Sequence, residues 1–266
     1  MPVTIAAPIT VFDQPAFHLV DEQITGLAFA IHNEFGRYLT ERLYQAELLR
    51  RLQECGCESH REVKISVMLD GFIKDYFIDF LVRHGVIVET KAVEALTAAH
   101  RAQLLTYLFL AGLHHGTLLN FRTERVQHEF VSTRLTHETR RRVSYVTNHW
   151  QPLSERCRLM VDTLRRAMTD WGCGLDPSLY RDAVTHFLGG EVGVVRNIPV
   201  RSGATVIGAQ KVHLLTDEVA FSITTAVHRP DVVLEHQRRF LAHTPLRAIQ
   251  WINLNRQTVS LVTITK

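Results

Sequence analysis

The stretch "GVIVETKAVEAL", residues 85–96, carries an apolar, β-branched run straight into Glu89, Thr90 and Lys91 with no turn residue between them. A strand alternates its side chains, so Glu89 and Lys91 share one face, roughly 7 Å apart along the chain. Taken alone, the pair reads as a surface ion pair on an edge strand. The preceding segment, "FIKDYFIDFLV" at 72–82, changes that reading, because Asp79 stands there beside Phe77, Ile78 and Phe80. A hairpin through His84 and Gly85 brings its carboxylate towards Glu89. Two carboxylates held close repel one another, and burying either alone is costly. A divalent cation removes the conflict. Magnesium takes oxygen ligands and keeps several waters, and a lysine beside it suits stabilisation of charge building on a phosphodiester. The stretch therefore predicts a hydrolytic site, with Asp79 and Glu89 as metal ligands and Lys91 as the cationic partner.

Working outward, "EVKISVML" at 62–69 precedes a turn at Asp70 and Gly71, and with the two segments above it predicts an antiparallel meander. Two helices come before it. Ile24, Leu27, Ala28, Ile31 and Phe35 recur at helical spacing up to Gly36, and a second helix follows Thr40 and runs to Gly56. After the charged strand, Thr97 caps a helix that ends at Gly112, and "TLLNF" at 117–121 returns as a strand. The order ααβββαβ predicts a compact α/β unit.

On the helix after Thr97, His100, Gln103 and Tyr107 lie on one face at i, i+3 and i+7. His100 fits either orientation of Gln103 or of a phosphate, or helix capping and packing. Glu41, in the first turn of the second helix, is a candidate further acidic ligand, and it is also simply favourable to the helix dipole. Through "ERLY", "YFIDFLV", "VIVETKAVEAL", "HRAQLLTYLFLAGL" and "LLNF", residues 20–121 resemble the GxxExxY family of the PD-(D/E)XK nuclease superfamily. The resemblance implies a restriction-endonuclease-like α/β core and a magnesium-dependent nuclease, with manganese as substitute. It matches Asp79, Glu89 and Lys91 to the acidic-and-lysine core, Gln103 and Tyr107 to the QxxxY element, and Glu41 and Tyr44 to the Glu and Tyr of the family name. Asp79, Glu89 and Glu41 then form the metal set. Tyr38 stands where the family has its first glycine.

The second half repeats the order of elements. "DWGCGLDPSLYRDAVTHFL" aligns with "EFGRYLTERLYQAELLRRL", pairing Gly172 with Gly36 and Tyr180 with Tyr44. At a slightly different offset, "VAFSITTAV" aligns with "VIVETKAVE" and "WINLN" with "LLNFR". In this register Val212, Ser222, Thr224, His236 and Phe240 replace Asp79, Glu89, Lys91, Gln103 and Tyr107, and Pro177 replaces Glu41. The expected organisation is a nuclease-like domain at 1–125, a basic linker at 126–153 with room for an extra strand, and a degenerate nuclease-like repeat at 154–266, the two copies forming an intramolecular pseudo-dimer. Arg140, Arg141 and Arg142 in the linker fit either a phosphate backbone or plain solvation.

Composition bounds the rest. The chain of 266 residues is 46% hydrophobic, as a folded core requires. Its longest apolar run, at 104–113, is about half the ~20 residues a membrane helix needs, and the first residues do not read as a secretory leader; a cytoplasmic protein without a membrane partner is expected. A formal charge of +3 permits a polyanionic partner without requiring one. Cys55, Cys57, Cys157 and Cys173 suit neither a disulfide framework nor a zinc site and are expected as thiols. The expected partner is nucleic acid, DNA ahead of RNA. The rival class is a non-catalytic nucleic-acid-binding or scaffold protein built on a nuclease fold.

Overall fold

The charged stretch forms an interior strand of a six-stranded sheet. In this computed structural model, which describes residues 3–266, that sheet runs β1 (Val3–Ile5), β2 (Ser59–Leu69), β3 (Phe72–Val82), β4 (Val86–Lys91), β5 (His115–Asn120), β6 (Gln127–Ser132) in spatial order. β3 and β4 are antiparallel, with Phe80 opposite Val88, and the turn between them places Arg83 and His84 at φ 47° and 58°, the primed geometry that matches strand twist. Gly85 follows because a side chain there would meet the Thr10 carbonyl oxygen at 2.7 Å. β4 and β5 are parallel, so a crossover is needed, and α3 (Ala98–Ala111) supplies it. Gly112, left-handed at φ 69° and ψ 24°, ends that helix.

Two helices cover one face of the sheet: α1 (Gln14–Phe35), capped by Asp13 Oδ1 accepting from Ala16 N–H, and α2 (Glu41–Glu54). Phe17, Ile24, Ile31, Tyr44, Leu48 and Leu52 from these helices pack against Phe80, Val82, Val86, Val88, Leu119 and Phe121. Removing one such side chain costs about 2–5 kcal/mol. Alternation then points Ile87, Glu89 and Lys91 to the other face, where Leu104 and Leu108 of α3 close on Gly116.

The remaining elements are α4 (His137–Arg141), β7 (Ser144–His149), α5 (Glu155–Trp171), α6 (Pro177–Phe187), α7 (Gly190–Val194), β8 (Val195–Ser202), β9 (Thr205–Thr216), β10 (Val219–Thr224), α8 (Pro230–Ala242), β11 (Ala248–Asn255) and β12 (Thr258–Thr265). They build a second six-stranded sheet, β7-β12-β11-β10-β9-β8. From β8 to β12 this repeats β2 to β6: antiparallel hairpins, then a parallel pair joined through a helix, then an antiparallel return. The register repeats too. Glu89 lies beside Leu118 and Lys91 beside Asn120, while Ser222 lies beside Trp251 and Thr224 beside Asn253. The copies differ in their sixth strand, for β1 pairs antiparallel with β2 whereas β7 runs parallel to β12.

Two local devices recur. The Tyr44 hydroxyl donates to Gly36 O at 2.6 Å, and that of Tyr180 to Gly172 O at 2.5 Å. Asn120 bridges the backbone N–H and C=O of Val93, and Asn253 does the same to Ala226. Each ties a loop to the core by satisfying backbone hydrogen-bonding groups of that loop.

The segment 126–153, expected as a basic linker with room for one extra strand, holds two strands and a short helix. β6 completes the first sheet and β7 the second, and the chain divides into compact units at His137/Glu138. The first unit therefore extends beyond residue 125. Both are polar edge strands, β6 largely half-buried and β7 largely exposed, so they lack the apolar period that marks an interior strand. Arg140 is not solvated; it is buried and donates to the carbonyls of Trp171 and Cys173, both at 2.7 Å. The four cysteines are free thiols. Among the described residues no helix is long and apolar enough to cross a membrane.

Candidate active site

Burial of β4 is nearly complete and reaches Glu89, which is 1% exposed. One of its oxygens accepts from Lys91 Nζ at 2.5 Å, while Oε2 is buried without a hydrogen-bond partner. Burial first, and then the negative charge of Asp79, push the Glu89 carboxyl up to about 7; Lys91 pulls the other way and Glu41 adds to the rise. Lys91 is raised. Burial alone would lower it, but Glu89, Asp79 and Glu41 together outweigh that effect. The electrostatics therefore couple three carboxylates and one ammonium.

Asp79 reaches this group from β3. Its Oδ2 accepts from the backbone N–H of Thr90 at 2.8 Å and from the Thr90 hydroxyl at 2.9 Å. Two donors on one oxygen fix the carboxylate's rotation and so the direction of its second oxygen. Glu41 arrives from the first turn of α2, close enough to the backbone of Ala92 for its N–H to favour the charged carboxylate. Its carboxyl is raised, chiefly by burial, with Lys91 lowering it and Asp79 raising it. The site thus forms where the start of α2 meets the C-terminal end of β4 and the neighbouring Asp79 of β3.

Gln103 and Tyr107 meet one another on α3, with Gln103 Nε2 donating to the Tyr107 hydroxyl at 2.9 Å. Tyr107 also sits edge-on to Tyr76 of β3, the rings 6.1 Å apart. Of the two uses open to His100, the structure takes capping, for its Nδ1 accepts from Thr97 N–H at 3.1 Å. Tyr44 stacks on Phe121 at 4.4 Å and holds the loop that leads into Glu41.

Three residues escaped the sequence reading. Gln45 Nε2 donates to the Thr90 hydroxyl at 2.8 Å, and Arg61 donates to Gln45 Oε1 at 2.9 Å, giving a chain Arg61 to Gln45 to Thr90 to Asp79. Thr90 lies between Glu89 and Lys91, so alternation sends it to the opposite face, towards α2. Gln45 stands four residues after Glu41 on the same side of α2, and that spacing was the available signal. Elsewhere, ligand-type atoms of Glu58, His60 and His84 lie within 4.8 Å of one another, an exposed carboxylate beside two stacked imidazoles.

Residues 18–133 match the family described as the PD-(D/E)XK nuclease superfamily. The mixed α/β fold with its two six-stranded sheets is consistent with that core. No curated protein matches the chain. A solved structure described as "Crystal structure of SSO0001" is 18% identical, over 47% of this chain and 55% of its own, at a TM-score of 0.25, too low to carry a structural argument.

Proposed function

We propose that the first unit is a magnesium-dependent nuclease that hydrolyses phosphodiester bonds in DNA, with manganese as a substitute ion. The observation that carries this reading is the buried Glu89, its Oε2 unpartnered, crowded by Asp79 and Glu41 and answered by a single lysine. The donor set is hard oxygen, which fits a small divalent cation, and Asp79, Glu89 and Glu41 would hold it. When bound, such an ion neutralises phosphate charge and favours deprotonation of water.

The chain's own groups do the rest. Lys91 keeps its proton at neutral pH, because its affinity for it is raised, so it serves as a donor to negative charge on the phosphate and not as a base. Asp79 is held in one orientation by Thr90, itself anchored through Gln45 and Arg61. Gln103 and Tyr107 act as positioning residues from α3. Tyr44 fixes the loop from which Glu41 projects.

The test is cleavage of single-stranded, duplex and flapped DNA, with RNA counterparts, by the full chain in magnesium or manganese. Metal-dependent cleavage lost in Glu89→Gln supports the reading. Nucleic-acid binding with no turnover under any of these conditions overturns it in favour of a binding module. Preferential cleavage of the RNA substrates would replace DNA as the substrate.

A further inference from the structure

The counterpart of this site in the second unit carries no carboxylate at the matching places and opens into a cleft. A cavity of about 660 Å³ opens there, and Val212, Ser222, Thr224, His236 and Phe240, at the places of Asp79, Glu89, Lys91, Gln103 and Tyr107, all line it. Arg181 joins them at the place of Gln45, in the register that matches Tyr180 to Tyr44. The site has changed chemistry without filling in.

Its charge has reversed. No carboxylate is among the lining residues, whereas Arg181, Lys211, His213 and His236 are. Arg181 touches Asp182 through one terminal nitrogen at 3.3 Å, but its Nε is buried without a hydrogen-bond partner. His213 is held below its ordinary value by burial, then by Arg181 and Lys211, while Asp182 and Glu191 oppose them. It remains a neutral imidazole with one N–H to donate. Thr224 already accepts from Trp251 Nε1 at 2.9 Å and retains its own hydroxyl proton. The cations Arg181 and Lys211 repel a divalent metal and, with the N–H and hydroxyl donors beside them, suit an anion. The cleft also has apolar walls, Val233, Phe240 and Ile249, which an isolated inorganic anion would leave uncovered.

We propose that this cleft binds a nucleotide, with its phosphate at Arg181 and Lys211 and its base against Phe240 and Val233. A free mononucleotide and the nucleotide of a bound strand present the same chemistry. The inference does not depend on cleavage by the first unit.

The experiment uses the full chain in EDTA and measures binding of a fluorescent deoxynucleoside 5′-monophosphate, the corresponding nucleoside, and a short single-stranded oligonucleotide. The monophosphate should bind at least tenfold more tightly than the nucleoside. Lys211→Gln and Arg181→Gln should each weaken it about five- to tenfold, and Ser222→Glu, which places a carboxylate in the cleft, should abolish it. Lys211 is exposed, so its variant keeps the test open if Arg181→Gln fails to fold. If the oligonucleotide binds more tightly than the monophosphate and responds to the same substitutions, the natural source is a strand; if it binds no more tightly, the source is the free nucleotide. Absence of monophosphate binding, or binding unchanged in Lys211→Gln and Ser222→Glu, overturns the proposal.

Discussion

β4 and β10 occupy the same place in their two sheets, each antiparallel to the strand before it and parallel to the strand reached through a helix. In β4 the face at 89 and 91 carries a carboxylate and an ammonium; in β10 it carries Ser222 and Thr224. The equivalent tyrosine and asparagine clamps persist in both units. The folding instructions therefore reside in apolar alternation, turns and side-chain clamps on the backbone, and the charged set is not one of them. It is a burden on the unit that bears it, since burial and like charge raise both Glu89 and Glu41. Such a cluster makes chemical sense around a cation and little sense without one.

The sharpest way to break this contrast is to remove its charges one at a time. Asp79→Asn and Glu89→Gln should each reduce metal-dependent cleavage by about a thousandfold or more while the chain stays folded. Ser222→Glu in the Glu89→Gln background should restore nothing, because the second unit lacks counterparts of Asp79 and Lys91. Full activity in either single variant would remove Asp79 and Glu89 from the site.

Lys91→Ala should lower turnover by about 10²- to 10³-fold yet leave metal binding in place, since an ammonium does not ligate magnesium. Calorimetry read beside single-turnover cleavage separates the two effects. Lost metal affinity with unchanged turnover would contradict the assigned role.

The shared clamps sharpen the other side of the comparison. Asn120→Ala and Asn253→Ala should each cost about 1–3 kcal/mol, because each removes two hydrogen bonds to the backbone, part-buried at Asn120 and buried at Asn253, and strands a backbone donor and acceptor. Denaturant titration of the two variants should give similar losses. A large loss in one and none in the other would show that the repeated geometry is not energetically repeated.

The smallest effect is one of pH. The folded Glu89 carboxyl lies near 7 against an ordinary 4.5, so the folded state holds this proton more tightly than the unfolded chain. That contribution to stability is fully present below about 4.5 and is lost as pH rises through about 7. In EDTA, Glu89→Gln should gain about 2 kcal/mol on wild type between pH 5 and pH 8, at ~1.4 kcal/mol per pKa unit. Thermal melts at the two pH values measure it, and magnesium added at pH 8 should favour wild type. A difference independent of pH would mean that Glu89 does not carry the burden assigned to it.

By itself the sequence determined the elements whose residues repeat with a clear period. Val86-Ile87-Val88, the leucine-rich helix after Thr97 and a turn around His84 declare themselves because alternation, caps and turns are local properties of the chain, although the positive φ falls on Arg83 and His84 and not on Gly85. Asp79, Glu89 and Lys91 were legible for the same reason, as charges set in apolar runs. The tertiary structure alone decided what comes from elsewhere. It bent the polar edge strands β6 and β7 out of a supposed linker, buried Arg140 against two carbonyls, and linked Asp79 through Thr90 and Gln45 to Arg61. An edge strand takes its hydrogen bonds from a distant neighbour, and a supporting residue such as Thr90 points away from its sequence neighbours. Neither relation leaves a period in the sequence, because both are set by which surfaces meet once the sheet has closed on its helices.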